Sequence, residues 1–246
     1  MGGVLAGHRG KIYVNEDVSA GGTGAFMGKI REDLKSIQKR DPACRNSLEV
    51  VLLYSGFHAL VFYRIANRLY KWRRFFIARF ISQFARWITG IEIHPGATIG
   101  RGLFIDHGSG VVIGETTEIG DYCTLYQGVT LGGTGIVQGK RHPTLGNDVL
   151  VGAGAKVLGP FKVGDHAKIA AGAVVLNEVP PYATAVGVPA KILCGFAADP
   201  TGEKTGNEDV DQINIEDPIM IELCRMEEQL ERLEEKVRKL EKKESH

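Results

Sequence analysis

The hydrophobic pattern changes character once in the first 195 residues, at about residue 91. Apolar positions come first at helical spacing: Val51, Leu52, Tyr54, Ala59, Phe62, Ile65 and Leu69 share a wide face of one run, Leu48 to Tyr70. Asp41-Pro42 ends an earlier helix, placed at about Lys29 to Lys39. A third run, Phe75 to Ile88, mixes aromatics with Arg79 and Arg86 and follows Arg73 and Arg74. These runs predict a helical domain over residues 27–90. A basic aromatic helix can lie on a membrane surface. The reading favoured here is a helix packed on its neighbours, with its arginines reaching outward.

From residue 91 the period becomes six. Ile93, Ile99 and Ile105 form one series; Ile113, Ile119, Leu125 and Leu131 a second; Leu145, Val151, Val157, Val163, Ile169 and Val175 a third. A helix repeats every 3.6 residues, so these thirteen positions exclude one. Six residues per flat face, three faces per coil, predict a solenoid of short strands with about five to six coils over residues 91–195. Each coil buries its aliphatics only against the coils beside it. Small or acidic residues such as Gly100, Asp106, Gly114, Gly120, Gly146, Gly152 and Gly164 follow the aliphatics, where tight corners fall. Two residues are inserted between Ile105 and Ile113, and eight between Leu131 and Leu145.

Polarity then rises. Residues 196–217 read as a linker. Residues 218–246 carry a heptad: Ile219, Met226, Leu233 and Leu240, interleaved with Leu223, Leu230 and Val237. A coiled coil between subunits is the preferred reading; a single helix lying on its own solenoid is the other. Residues 1–26 are Gly-rich, lack a continuous apolar stretch, and read as a disordered leader rather than a secretory signal.

Composition narrows the function classes. Glycine reaches 32 of 246 residues, which the corners explain. Thirty Lys plus Arg balance 29 Asp plus Glu, leaving a net charge of +1, so a nucleic-acid binder is not indicated. No apolar run of about 18 residues predicts a membrane span. Cys44, Cys123, Cys194 and Cys224 lack metal-ligand or redox spacing and read as reduced thiols of a cytoplasmic protein.

Both insertions carry histidine. Asp106 and His107 lie in the first, Arg141 and His142 at the end of the second. Insertions in a repeat protein map to loops, and loops carry function. The strings GIEIHPGATIGRGLFIDHGSGVVIGETTEIGDYCTLYQGVTLGGTG, GKRHPTLGNDVLVGAGAKVLGP and VGVPAK, with RDPA and YSGFHALVFYRIAN upstream, resemble the bacterial serine O-acetyltransferases, a hexapeptide-repeat acyltransferase family. The likeness spans about Met27 to Gly195.

The resemblance implies an α+β chain: an N-terminal helical domain, a left-handed parallel β-helix, and here a C-terminal coiled-coil-like helix. It implies an acetyl-CoA-dependent O-acetyltransferase that makes O-acetyl-L-serine, the first step of cysteine biosynthesis. A sister enzyme acting on another hydroxyl acceptor, such as a sugar, is the alternative. Acetyl-CoA is then a co-substrate, with no permanently bound cofactor and no metal. A hydroxyl nucleophile needs a base near neutral pH, and imidazole suits that task. Matched by position, His107 is the general base and Glu92 its orienting carboxylate, where the family usually has Asp. Arg141 and His142 match the residues holding the substrate carboxylate. Asp41 and Asp106 match those near the amino group, although on its own Asp41 reads as a turn residue. Gly133, Ala153, Ala171 and Lys191 are the acetyl-CoA contacts, in a groove between neighbouring β-helices; Lys156 or Lys191 would meet phosphates. The transfer is direct, in a ternary complex. Cys123 as a covalent acetyl carrier is the rival route.

The resemblance also implies L-cysteine as a feedback inhibitor and, commonly for the family, a hexamer. The helical domain is short before Asp41-Pro42, the part that would pair two trimers, so a homotrimer is the favoured reading here. Many members bind O-acetylserine sulfhydrylase through a C-terminal isoleucine. This chain ends Glu244-Ser245-His246, which argues against that partner. A metal site between subunits would need three converging histidines, and His94, His107, His142 and His166 do not resemble that set. A non-catalytic scaffold would leave both insertions unexplained.

Overall fold

The structure is a computed structural model that describes residues 23–135 and 138–193. The expected linker, heptad helix and most of the leader lie outside the described residues. Four helices open the described part: α1 (Thr23–Arg40), α2 (Ser47–Leu53), α3 (Ser55–Lys71) and α4 (Phe75–Thr89). Helix α1 starts before Met27, so residues 23–26 belong to a helix rather than to the leader.

The expected single helix from Leu48 to Tyr70 is two. Tyr54 takes extended angles, φ −89° and ψ 105°, and α2 and α3 meet there at a bend of 74°. Asn46 starts α2 by accepting the Glu49 N–H at 2.9 Å, while the Glu49 carboxylate accepts the Arg45 N–H. No single described helix is long and apolar enough to cross a membrane.

The repeat folds as a parallel β-helix of five coils. The first holds β1 (Glu92–Ile93), β2 (Thr98–Ile99) and β3 (Phe104–Ile105). The second holds β4 (Val112–Ile113), β5 (Glu118–Ile119) and β6 (Thr124–Leu125). The third holds β7 (Thr130–Gly132), β8 (Thr144–Leu145) and β9 (Leu150–Val151), and the fourth β10 (Lys156–Leu158), β11 (Lys162–Val163) and β12 (Lys168–Ile169). The fifth holds β13 (Val174–Val175) and β14 (Thr184–Val186), with a single bridge from Val179 to Val163 on its middle face. A last strand, β15 (Lys191–Leu193), turns back antiparallel on β14.

Three parallel sheets result, β1-β4-β7-β10-β13, β2-β5-β8-β11 and β3-β6-β9-β12-β14 with β15 beyond. Register pairs aliphatic with aliphatic: Ile93 with Ile113, Ile99 with Ile119, Ile105 with Leu125. All thirteen repeat aliphatics are at most 4% exposed and form one core. In the fifth coil the spacing tightens to four residues, Val175 to Val179, which a strict period of six does not anticipate.

The glycines do two different jobs. Along the corner after the third sheet, Gly110, Gly128, Gly154, Gly172 and Gly187 have φ between 69° and 94°, a region closed to most side chains. Glycines directly after an aliphatic instead let the next coil approach: a Cβ on Gly120 would lie 2.4 Å from the Gly146 carbonyl oxygen. The corner after the second sheet has Gly102 in the first coil, φ 65°, and then Tyr122, Asp148, His166 and Tyr182 in left-handed conformations, φ 52° to 60°.

The helices sit on the first coil and satisfy its outward carbonyls. Ser82 donates to Ile93, Tyr63 and Asn67 to Ala97, and Ser36 to Gly102. Arg64 is the central donor. Its guanidinium meets the Ile99 and Gly100 carbonyls and also grips the buried Asp33 carboxylate through two hydrogen bonds at 3.0 and 3.1 Å. Asp33 in turn accepts the Gly102 N–H at 2.8 Å. One buried pair thus ties α1, α3 and the first coil together.

Replacing Asp33 with Ala strands the Arg64 charge and is expected to cost about 3–5 kcal/mol in denaturant unfolding. A Cβ on Gly56 would lie 2.3 Å from the Ile105 carbonyl oxygen. Gly56→Ala should therefore push α3 off β3 and cost about 1–3 kcal/mol, read in the same titration.

Candidate active site

The first insertion leaves the β-helix after β3, at the corner that leads to β4. His107 takes a left-handed backbone there, φ 48°, and its side chain is 82% exposed. Nε2 lies 3.8 Å from the Asp106 carboxylate, an electrostatic neighbour rather than a hydrogen-bond partner. Burial pushes the Asp106 carboxyl above the ordinary carboxylate range; His107 pulls it back, and the nearby Asp41 carboxylate pushes it up again.

Asp41 reaches this corner from the end of α1. One oxygen accepts the Ala43 N–H at 2.7 Å, so the residue does close a turn. The other accepts the Tyr54 hydroxyl at 2.6 Å. Burial first, then the hydrogen bond to the Asp41 carboxylate, pushes the Tyr54 phenol up, so it stays protonated as a donor. Arg40 pins this segment to the third sheet through the Cys123 carbonyl and the Thr124 hydroxyl. The bend that splits α2 from α3 thus delivers a tyrosine to the site.

Glu92 departs from expectation. Its carboxylate pairs with Arg86 of α4 at 3.1 Å, and among the described residues no hydrogen bond or ion pair joins it to His107. The carboxylate beside His107 is that of Asp106.

The second insertion leaves at a different corner, between β7 and β8. Arg141 pairs there with the Glu115 carboxylate, whose other oxygen accepts the Tyr70 hydroxyl at 3.0 Å. Burial opposes ionisation of Glu115, but hydrogen bonds from Arg141 and Tyr70 hold its carboxyl below the usual range. His142 is buried against Gly114, where a Cβ would lie 2.0 Å from the ring. Burial, with help from Arg141 and Lys140, lowers its basicity against the pull of Glu115. Thr116 bonds both the His142 ring and the backbone of Arg141 and His142. His94 stands edge-on to Tyr70, with ring centres 5.8 Å apart. Burial first, then the Arg79 guanidinium, pushes His94 down to about 4.

Three of the four expected acetyl-CoA contacts divide between the same two corners. Ala153 and Ala171 lie one above the other at the corner that carries His107, with the Gly172 N–H donating to the Ala153 carbonyl. Gly133 lies beside the Arg141 backbone, where a Cβ would come within 3.0 Å of its carbonyl oxygen. Lys191 is exposed on β15. Cys123 is buried, and its thiol is pushed up to about 12, chiefly by burial, which removes the thiolate an acyl carrier needs.

Sequence reasoning missed Tyr54, Tyr70, Glu115 and Thr116, and weighed His94 only as a metal ligand. A signal for Glu115 and Thr116 did exist. With Ile113 in register with Leu131, they occupy the corner directly beside the eight-residue insertion.

Residues 16–61 match the family described as serine acetyltransferase, N-terminal, and residues 142–177 match the bacterial transferase hexapeptide (six repeats). A serine acetyltransferase of Helicobacter pylori is 67% identical over 167 residues, 68% of this chain and 98% of that protein. The Bacillus pumilus serine acetyltransferase is 50% identical over 207 residues, 84% of this chain and 93% of that one. The chain belongs to the serine acetyltransferase family. Among solved family structures, the Neisseria gonorrhoeae enzyme in complex with serine is 43% identical with a TM-score of 0.67, covering 70% of each chain. A serine acetyltransferase in complex with cysteine is 42% identical with a TM-score of 0.70, covering 72% of this chain and 69% of that one.

His94 gives a pH prediction with a definite sign. Its imidazole takes a proton near 6.5 when unfolded but only at about 4 when folded. Between those values the unfolded chain binds more protons, so stability falls as pH drops through that window. His142 acts in the same direction. Denaturation midpoints from neutral to acid pH should fall less steeply for His94→Gln than for the wild type.

Proposed function

We propose that the chain transfers acetyl from acetyl-CoA to the hydroxyl of L-serine, in the cytoplasm, with acetyl-CoA as a diffusible co-substrate. The observation that carries this reading is the charge plan of the two corners. One presents Asp41 and Asp106 beside an exposed imidazole, His107. The other presents Arg141 and His142. A carboxylate pair suits an ammonium group, and a guanidinium with an imidazole suits a carboxylate. An amino acid with a hydroxyl between those ends meets all three demands. The family's solved complexes with serine and with cysteine support the same reading, and with it L-cysteine as a competitor for the serine site.

In the mechanism, Arg141 and His142 hold the carboxylate of serine, and Asp41 and Asp106 face its ammonium. His107 removes the hydroxyl proton as the oxygen attacks the thioester carbonyl. The tetrahedral adduct collapses, the C–S bond breaks, and His107 returns the proton to the departing thiolate. Glu92 begins the strand beside that corner; its carboxylate would have to leave Arg86 to orient His107.

The two halves lie at different corners of one β-helix, and no contact joins them among the described residues. A serine molecule is far smaller than one face of six residues, which spans up to about 20 Å. The complete site therefore forms between neighbouring chains, with His107 from one and Arg141 and His142 from the next, in a homotrimer or a pair of trimers. Acetyl-CoA lies in the same groove along Gly133, Ala153 and Ala171, with Lys191 at its end.

CoA release should depend on L-serine and not on D-serine, homoserine or sugars. His107→Ala should lower turnover at least about 100-fold with the fold retained; near-normal turnover would reject His107 as the base. Mixing His107→Ala with His142→Ala subunits under exchange should rebuild about a quarter of the sites, because each draws its halves from two chains. No recovery in exchanged oligomers would place the site within one chain.

A further inference from the structure

The hydrogen bonds around Thr116 determine where His142 carries its proton. The Thr116 hydroxyl oxygen accepts two backbone N–H groups, from Arg141 at 3.0 Å and from His142 at 3.2 Å. A hydroxyl has two acceptor positions and one proton. Both acceptor positions are filled, so only the proton remains for its third neighbour, Nδ1 of His142 at 2.8 Å. The Thr116 backbone N–H also points at Nδ1, at 3.2 Å. Two donors converge on one ring nitrogen, which must be bare. The neutral ring then carries its proton on Nε2.

The surroundings agree with a neutral ring. Burial first, then Arg141 and Lys140, stand against a positive charge on the ring; Glu115 favours one but is already engaged by Arg141 and Tyr70. Nε2 lies between two glycines: a Cβ would sit 2.2 Å away on Gly114 and 3.4 Å away on Gly133. His142 is 8% exposed, and its Nε2 edge meets bare glycine backbone rather than side chains. No hydrogen bond of Nε2 exists among the described residues. The N–H is therefore ready to donate to an incoming acceptor beside the Arg141 guanidinium.

We infer that Thr116 is a positioning residue for acceptor binding: it locks His142 in the Nε2–H tautomer and makes it a neutral donor to the substrate carboxylate. This rests on the carboxylate-binding reading of Arg141 and His142 given above. The Nδ1–H tautomer would present a bare nitrogen and its lone pair to a carboxylate, which repels it. A charged ring would attract the carboxylate but lose both bonds to Thr116. Threonine and serine supply the hydroxyl; valine keeps the shape without it.

The test uses the full-length oligomer labelled with nitrogen-15 in histidine. Long-range proton–nitrogen spectra separate a bare Nδ1 from a protonated one, and the His142→Asn spectrum identifies the His142 signals. Wild type and Thr116→Ser should show a bare Nδ1 and a protonated Nε2. Thr116→Val removes the hydroxyl proton and leaves only the backbone N–H on Nδ1, so the Nδ1–H tautomer should appear beside the Nε2–H one, with the KM for L-serine raised about 10- to 100-fold and kcat changed much less. Thr116→Ser should restore KM. A protonated Nδ1 in the folded wild type overturns the inference without recourse to any variant. So does an unchanged His142 signal in Thr116→Val, whatever its kinetics. An altered ring with unchanged KM overturns the link to substrate. If L-serine is not the acceptor, the wild-type spectrum still reads the tautomer, so failure of the functional reading and failure of the lock are distinguishable. Should Thr116→Val not fold, Thr116→Ala carries the same readouts.

Discussion

The spacing between stacked coils governs this molecule. Parallel strands stack about 4.8 Å apart, and every coil must repeat that distance on three faces. At Gly100, Gly120, Gly146 and Gly152, each directly after a buried aliphatic, a side chain would meet the next coil, which is why glycine stands there. Extra residues cannot be absorbed within a face without breaking register, so both insertions leave at corners. Reactive side chains therefore appear where the repeat is interrupted, on a scaffold whose rigidity comes from the uninterrupted parts. The glycine at 114 shows the coupling directly: the repeat needs a small residue there, and the space is taken by the His142 ring.

The helical domain adds what a β-helix alone lacks. The Arg64–Asp33 pair is buried, yet its guanidinium also serves two strand carbonyls and its carboxylate a third backbone group. Such a pair contributes little net stability over apolar replacements, but it defines one docking geometry. That geometry sets the end of α1 over the third sheet, where Arg40 is held and Asp41 follows. The kink at Tyr54 completes the arrangement by aiming a phenol at Asp41.

The β-helix was legible in the sequence because one residue in six is buried without exception, a signal independent of distant contacts. Both insertions followed from the same count. The kink at Tyr54 was not legible, since the apolar face of Leu48 to Tyr70 continues through it and tertiary packing decides the break. The shortened step from Val175 to Val179 hid for a related reason: the last coil has a neighbour on one side only and tolerates irregularity. Position-by-position resemblance pointed to His107, Asp106, Asp41, Arg141 and His142, which the structure places at two separate corners. It paired Glu92 with His107, whereas the structure pairs it with Arg86, a side chain from an adjoining helix that no repeat pattern reveals. Thr116 escaped because its role depends on three hydrogen bonds across a corner rather than on its residue type.

The two ends of the solenoid are finished differently from its middle. A stack of parallel coils presents unpaired backbone at each end, and an identical stack could in principle continue it. At the first coil, side chains of α1, α3 and α4 occupy the outward carbonyls. At the last, β15 reverses direction on β14, and the Ala190 N–H closes on the Val174 carbonyl. Among the described residues, neither end offers a free parallel edge of useful length. Growth by adding coils from another molecule, the route by which repetitive β-structures become fibres, is thus blocked at both termini of the stack.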